Sequence, residues 1–169
     1  MLATLVVSAF MLAASGAPAV DQTKQAPPPP KPAADKPAAA KPGAARVVEI
    51  AASDDMKYSV TDIAAKAGET LRIKLVSKGT LPKVAMAHNV VVLKSGAKQA
   101  DFANAAALAR ATDFIPAEMK DQVLGATGLA GPGETVEVTV KIPAAGAYPY
   151  ICTFPGHFAA GMRGTITAK

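Results

Sequence analysis

Apolar and polar residues alternate along most of the chain after residue 46. The alternation is clearest over residues 70–76 (TLRIKLV) and 134–142 (ETVEVTVKI). A period of two is typical of strands with one buried and one solvated face. Shorter strands are predicted over residues 47–51, 58–63, 89–93, 147–151 and 164–168. Turn sequences such as KAGE and GPG separate these runs, and the spacing predicts an antiparallel β-sandwich.

One segment of this region has the period of a helix instead. Residues 101–112 (DFANAAALARAT) are rich in alanine, and Phe102, Ala105, Ala106 and Ala109 fall on one helical face. The sequence therefore predicts an all-β fold with one short helical excursion between strands.

The first 46 residues differ in composition from the rest. Residues 1–20 carry no charge and contain Ala17-Pro18-Ala19 near their end, which predicts either a cleaved export signal or an N-terminal membrane anchor. Residues 21–46 are rich in Pro, Ala and Lys and predict a disordered, extended linker, which is either a membrane tether or a plain terminal tail. The folded domain is predicted over residues 47–169.

Composition excludes several classes of protein. Residues 1–46 hold five basic and two acidic residues, which leaves 13 basic and 11 acidic residues for the predicted domain. Aromatic residues make up 5% of the chain, and its lysines and arginines form no cluster, so nucleic-acid binding is not expected. The single cysteine, Cys152, excludes an internal disulfide and a cysteine-rich zinc module.

The residues best suited to chemistry are a thiol, two imidazoles and a thioether. Cys152, His157 and Met162 lie within eleven residues between two predicted strands, and His88 lies 64 positions before Cys152. Two His and one Cys with a weak axial Met form the ligand set of a blue copper site. Soft sulfur suits Cu(I) and imidazole suits Cu(II), so the mixture accepts both oxidation states. The same His and Cys ligands also suit zinc.

The sequence CTFPGH over residues 152–157, followed by Met162, resembles the copper loop of the azurins, which are bacterial cupredoxins. The similarity extends to residues 55–58, 81–89, 113–116 and 164–169, and so covers most of residues 47–169. It implies a Greek-key cupredoxin β-sandwich and one type 1 copper ion. It also implies electron transfer in the periplasm or another extracytoplasmic compartment.

The resemblance assigns a role to each candidate ligand. His88, Cys152 and His157 correspond to the equatorial ligands of the azurins, and Met162 corresponds to the axial ligand. Ala87 lies where the azurins have a weak axial main-chain carbonyl. Asn89 corresponds to an asparagine that ties the ligand strand to the copper loop.

Three departures from the azurin pattern change the expectations. Four residues separate His157 from Met162, one more than in the azurins and similar to the membrane-tethered auracyanins. Position 87 is alanine where the azurins have glycine. Its Cβ can hold the carbonyl away from the metal, so a four-coordinate site is the alternative to a five-coordinate one. The azurin disulfide cannot form, because Cys152 is the only cysteine.

The sequence therefore predicts a monomeric electron carrier, not an enzyme, that exchanges electrons with redox proteins such as cytochromes. We expect partners to approach His157 across an apolar patch at residues 158–161. The alternatives are a periplasmic copper-delivery or copper-binding protein and a metal-free sandwich module. A copper enzyme is not expected, because it would need more histidines than the two present.

Overall fold

The computed structural model describes residues 45–169, in which eight strands and one α-helix are found. The elements are β1 (Arg46–Ala52), β2 (Asp62–Ala65), β3 (Thr70–Ser77), β4 (Val91–Leu93), α1 (Gln99–Leu108), β5 (Val123–Ala126), β6 (Thr135–Lys141), β7 (Gly146–Ile151) and β8 (Arg163–Ala168). The predicted leader (residues 1–20) and nearly all of the predicted linker lie outside the described residues. No helix within residues 45–169 is long and apolar enough to span a membrane.

The strands form two sheets, with the orders β1-β3-β6 and β2-β8-β7-β4-β5. This confirms the predicted all-β fold with one short helix. The expectation of antiparallel pairing is wrong for two pairs, because β1 runs parallel to β3 and β2 runs parallel to β8. Parallel neighbours cannot be joined by a hairpin. Here the chain leaves the first sheet after β1, forms β2 in the second sheet, and returns as β3.

The core lies between the two sheets and follows the alternation of the sequence. Leu71, Ile73 and Leu75 of β3 are fully buried, and residues between them are more exposed. Burial of each such side chain contributes about 2 kcal/mol. Strands β4 and β7 are buried on both faces, because Phe102 and Ala106 of α1 cover the outer face of their sheet.

Helix α1 is shorter than predicted. It ends at Leu108 instead of residue 112, and a 3-10 turn over Arg110–Thr112 follows. The Thr112 hydroxyl donates to the Ile115 carbonyl (2.7 Å), and Asp113 and Phe114 have φ angles of 52° and 60°. These left-handed conformations turn the chain away from the helix axis and prevent its continuation.

Two strands also differ from the predictions. The strand predicted over residues 58–63 begins only at Asp62, and Tyr58 makes an isolated bridge to Ala52 instead. Strand β5 was not predicted, because its four residues are all half-buried and give no alternation. Gly125 in β5 leaves space for Val140 of β6, whose Cγ1 would lie 2.4 Å from an added Cβ.

Gly164 provides a test of the packing within the second sheet. An added Cβ would lie 2.3 Å from Cζ of Tyr150 and 2.5 Å from the main-chain oxygen of Thr61. We expect Gly164→Ala to lower the free energy of unfolding by about 2 kcal/mol or more. Gly128→Ala is the matched control, because its Cβ would meet nothing within 4 Å. Urea denaturation would contradict the prediction if the two variants were equally stable.

Candidate metal centre

The candidate ligand loop joins β7 to β8, and its ends are held together by main-chain hydrogen bonds. Cys152 directly follows β7 and Met162 directly precedes β8. The Cys152 N–H donates to the Met162 carbonyl (3.1 Å), and the Met162 N–H donates to the His157 carbonyl (3.0 Å). Because β7 and β8 are antiparallel neighbours, the fold fixes both ends of the loop.

His88 reaches the same end of the sandwich from the segment before β4. Its N–H donates to the Ala130 carbonyl (2.9 Å), and the Ala130 N–H donates back to the His88 carbonyl (2.7 Å). This two-way bridge fixes the backbone of His88 without using its side chain. Ala87, the candidate for a weak axial carbonyl, is fully buried beside it.

The fold brings the candidate ligands into one buried cluster. One donor atom from each of His88, Cys152 and His157 lies within 4.8 Å of the others. The Cys152 Sγ lies 3.4 Å from Nδ1 of His157, and the two imidazole centroids are 5.0 Å apart. Met162 is fully buried and belongs to the same hydrophobic cluster as Cys152.

The hydrogen bonding of His88 fits a metal ligand. Both of its ring nitrogens are buried, and neither has a hydrogen-bond partner among residues 45–169. A buried polar atom without a partner carries a desolvation cost of about 1–3 kcal/mol, and a metal–nitrogen bond would remove that cost for one of them. Two nitrogens, one thiolate and one thioether together match the donor set of a blue copper site.

Burial also sets the protonation of the cluster. Desolvation lowers the pKa of His157 to about 4, with the nearby His88 lowering it further, and desolvation likewise lowers the pKa of His88. At neutral pH both imidazoles are therefore neutral, as metal ligands must be. Burial raises the pKa of the Cys152 thiol to about 11, although the N–H groups of Asn89 and Phe154 oppose this rise.

Asn89 connects the two ligand-bearing segments. Its side-chain NH₂ donates to the Thr153 hydroxyl (2.8 Å), and its side-chain oxygen accepts from the Thr153 N–H (2.9 Å). Both residues are buried. The segment that carries His88 is thus held against the loop that carries Cys152.

Two residues close to the cluster were missed from the sequence. The Lys57 ammonium donates to the main-chain oxygen of Ala160, between His157 and Met162. The hydroxyl of Tyr58 donates to the main-chain oxygen of Asn89. Both residues lie in the loop after β1, in a region flagged only for its similarity to the azurins, and no spacing or motif marks them.

A phenylalanine side chain packs against His157. The Phe154 ring centroid lies 4.9 Å from that of His157, and the Phe114 ring packs edge-on against Phe154 at 5.2 Å. Phe158 follows His157 in the chain and lies 5.1 Å below the guanidinium of Arg163. His157 itself is only 2% exposed.

Comparison with known proteins places these features in context. The family model for copper-binding proteins of the plastocyanin/azurin family matches residues 45–169. The chain is 37% identical over 125 residues to Auracyanin-B of Chloroflexus aurantiacus, which covers 73% of this chain and 52% of that protein. It is 36% identical over 121 residues to Azurin-2 of Alcaligenes xylosoxydans xylosoxydans, which covers 69% of this chain and 92% of that protein.

A solved structure has the same fold. The reduced auracyanin of the photosynthetic bacterium Roseiflexus castenholzii superposes with a TM-score of 0.66 and 31% identity, over 75% of this chain and 99% of that one. By contrast, the chain spans only about half the length of Auracyanin-B. The shared part is therefore the sandwich that carries the candidate metal centre.

The protonation of the cluster predicts proton release when metal binds. At pH 7 the Cys152 thiol, with its pKa of about 11, must lose its proton to bind Cu(II), whereas the His157 imidazole, with its pKa of about 4, is already neutral. We expect about one proton to be released per chain at pH 7, and more below pH 4 as His157 becomes protonated. A pH indicator in weak buffer would measure the release, with Cys152→Ser as the control. Binding at pH 7 without proton release would contradict the prediction.

Proposed function

Because the chain belongs to the plastocyanin/azurin family of copper-binding proteins, we propose that it transfers electrons at one type 1 copper ion held by His88, Cys152, His157 and Met162. One observation carries this proposal. Three buried donor atoms, from residues up to 69 positions apart in the chain, lie within 4.8 Å of one another. A cluster of this kind matches the equatorial ligands of a blue copper site.

The protein's own contribution is to hold the ligands in one arrangement. When bound, copper supplies one-electron chemistry between Cu(I) and Cu(II). The main-chain bridges at His88 and at the ends of the ligand loop fix the ligand backbones, and the buried surroundings exclude water from Cys152. A site held by its fold changes little between the two oxidation states, which favours rapid electron transfer.

Met162 is assigned as the axial ligand, and the Ala87 carbonyl is assigned as a weak second axial donor. The supports are the burial of both residues and their positions next to the equatorial ligands. An axial thioether binds weakly and at long range in blue copper sites, where it tunes the reduction potential. Met162 is suited to this role, since its backbone is tied to both Cys152 and His157.

Copper delivery is the alternative that the structure disfavours. A delivery protein must hand its ion to a partner, which requires ligands that the partner can reach. Here His88, Cys152 and Met162 are fully buried and His157 is 2% exposed. Release of the ion would require the core to open, so electron transfer suits the site better.

The wider setting of the protein is proposed from its relatives and its surface. We assign it to an extracytoplasmic compartment, with residues 1–20 as a signal peptide or membrane anchor, residues 21–46 as a linker and residues 47–169 as a monomeric cupredoxin domain. It carries electrons between redox proteins such as cytochromes and is not an enzyme. Partners approach across the patch formed by residues 158–161, next to His157.

The copper assignment is tested by optical titration of the full chain with Cu(II). We expect an intense thiolate-to-copper band that bleaches with ascorbate and returns on reoxidation. Cys152→Ser should lose the band, because the sulfur donor is gone. Met119→Leu serves as a control, since Met119 packs against the separate cluster around α1. A wild-type protein that binds Cu(II) without the band would overturn the proposal.

The patch is tested by the rate of electron self-exchange between copies of the reduced and oxidised protein. This reaction has no driving force, so a change in reduction potential does not alter the driving force between the two copies. Phe158→Asp should slow it about tenfold or more, because two like charges then meet where the copies approach. Leu108→Asp adds the same charge at a residue that is 89% exposed and outside the patch. Equal rates for the two variants would remove residues 158–161 from the electron-transfer surface.

A further inference from the structure

A buried tyrosine next to the metal centre has no role in the function described above. Tyr58 is 6% exposed, and its hydroxyl donates to the main-chain oxygen of Asn89, the residue after His88. We propose that Tyr58 is a positioning residue, whose hydroxyl fixes the Asn89 backbone and thereby the hydrogen bond from the Asn89 N–H to the Cys152 sulfur. This inference rests on the proposed copper site.

A tight turn brings Tyr58 to this position. After β1, the Met56 N–H donates to the Ser53 carbonyl (3.0 Å), and Met56 has a φ of 54°. Tyr58 then bridges back to Ala52, and the Ser59 N–H donates to the Ala51 carbonyl (2.9 Å). The segment around Tyr58 is thus hydrogen-bonded to the end of β1. The tyrosine ring therefore enters the core from a fixed backbone.

The peptide that follows Asn89 is held at both ends by hydroxyl groups. Its oxygen accepts from Tyr58, and its N–H, which belongs to Val90, donates to the Thr127 hydroxyl (3.0 Å). The two hydroxyls come from different loops, and both residues are buried. With this peptide fixed and the Asn89 side chain bound to Thr153, the Asn89 backbone has little freedom to rotate.

The orientation of Asn89 matters because a hydrogen bond from its main-chain N–H lowers the pKa of the Cys152 thiol, against the rise caused by burial, and so stabilises the thiolate. Hydrogen bonds around the cysteine sulfur tune the reduction potential of a blue copper site. A weaker bond leaves more electron density on the sulfur, which favours Cu(II) and lowers the potential. The Tyr58 hydroxyl therefore acts on the potential through Asn89, without touching a ligand.

The same hydrogen bond argues against Tyr58 as an electron relay. Its ring centroid lies 5.6 Å from that of Tyr150, and the two rings pack at a tilt of 43°. Oxidation of a tyrosine releases the phenolic proton. The hydroxyls of Tyr58 and Tyr150 both donate to main-chain carbonyls, which are poor bases, so the pair has no group to receive that proton.

The test compares Tyr58→Phe with Tyr148→Phe in the copper-loaded full chain. Tyr148 is also buried, and its hydroxyl donates to a main-chain oxygen, that of Ala144 (2.9 Å), outside the metal centre. Tyr58→Phe should lose stability through one missing hydrogen bond and Tyr148→Phe through two, because the Tyr148 hydroxyl also accepts from the Ala144 N–H (3.2 Å). Only Tyr58→Phe should lower the reduction potential, by an amount that changes the equilibrium constant with a common reductant about two- to tenfold. It should also shift the copper–sulfur stretching band in the resonance Raman spectrum.

Thr127→Val releases the other end of the same peptide and keeps the test decisive if Tyr58→Phe does not fold. It should lower the potential in the same direction. Suppose that the wild-type protein shows the blue band, but folded Tyr58→Phe and Thr127→Val have the same reduction potential as Tyr148→Phe. That result would overturn this inference alone. A wild-type protein that lacks the blue band would instead overturn the proposed function.

Discussion

The pair of hydrogen bonds between Asn89 and Thr153 holds together two parts of the chain that are 64 residues apart. Strands β4 and β7 pair over only two positions, Val91 with Ile151 and Val92 with Tyr150. In the same antiparallel register, Asn89 lies opposite Thr153. The side-chain amide of Asn89 therefore continues the ladder past the end of β4, toward the ligand residues on either side.

The bonds to Thr153 come from the side chain of Asn89 instead of its main chain, and this affects the surroundings of the Cys152 sulfur. In an ordinary ladder the N–H groups near Cys152 would be used to hold the neighbouring strand. Here the Asn89 side chain holds the neighbouring segment, and the main-chain N–H of Asn89 is left to lower the pKa of the Cys152 thiol. Closing the long loop between the two segments costs entropy in a flexible chain. The sandwich bears that cost on folding, so the donor atoms are already assembled before a metal ion binds.

The sequence predicted the features that depend on local patterns. The alternation in residues 70–76 and 134–142 predicted β3 and β6, and the CTFPGH loop with His88 predicted the residues that the fold brings together. Features that depend on contacts between distant residues were missed. Parallel pairing of β1 with β3 depends on β2 crossing to the other sheet, and the role of Tyr58 depends on a turn whose Met56 adopts a positive φ. No periodicity encodes either.

The four residues between His157 and Met162 lie in a single turn that is capped by another part of the chain. The segment winds into a turn, in which the Ala160 N–H donates to the Gly156 carbonyl (3.0 Å) and Gly161 leaves the turn with a φ of 93°. A turn of this kind exposes a carbonyl at its end, and the Lys57 ammonium caps the one on Ala160. A Cβ at Gly161 would lie 2.9 Å from that ammonium. Glycine at this position therefore permits both the positive φ and the contact between Lys57 and the Ala160 carbonyl. The turn thus returns the chain to Met162, which directly precedes β8 and has main-chain bonds to the two other loop ligands.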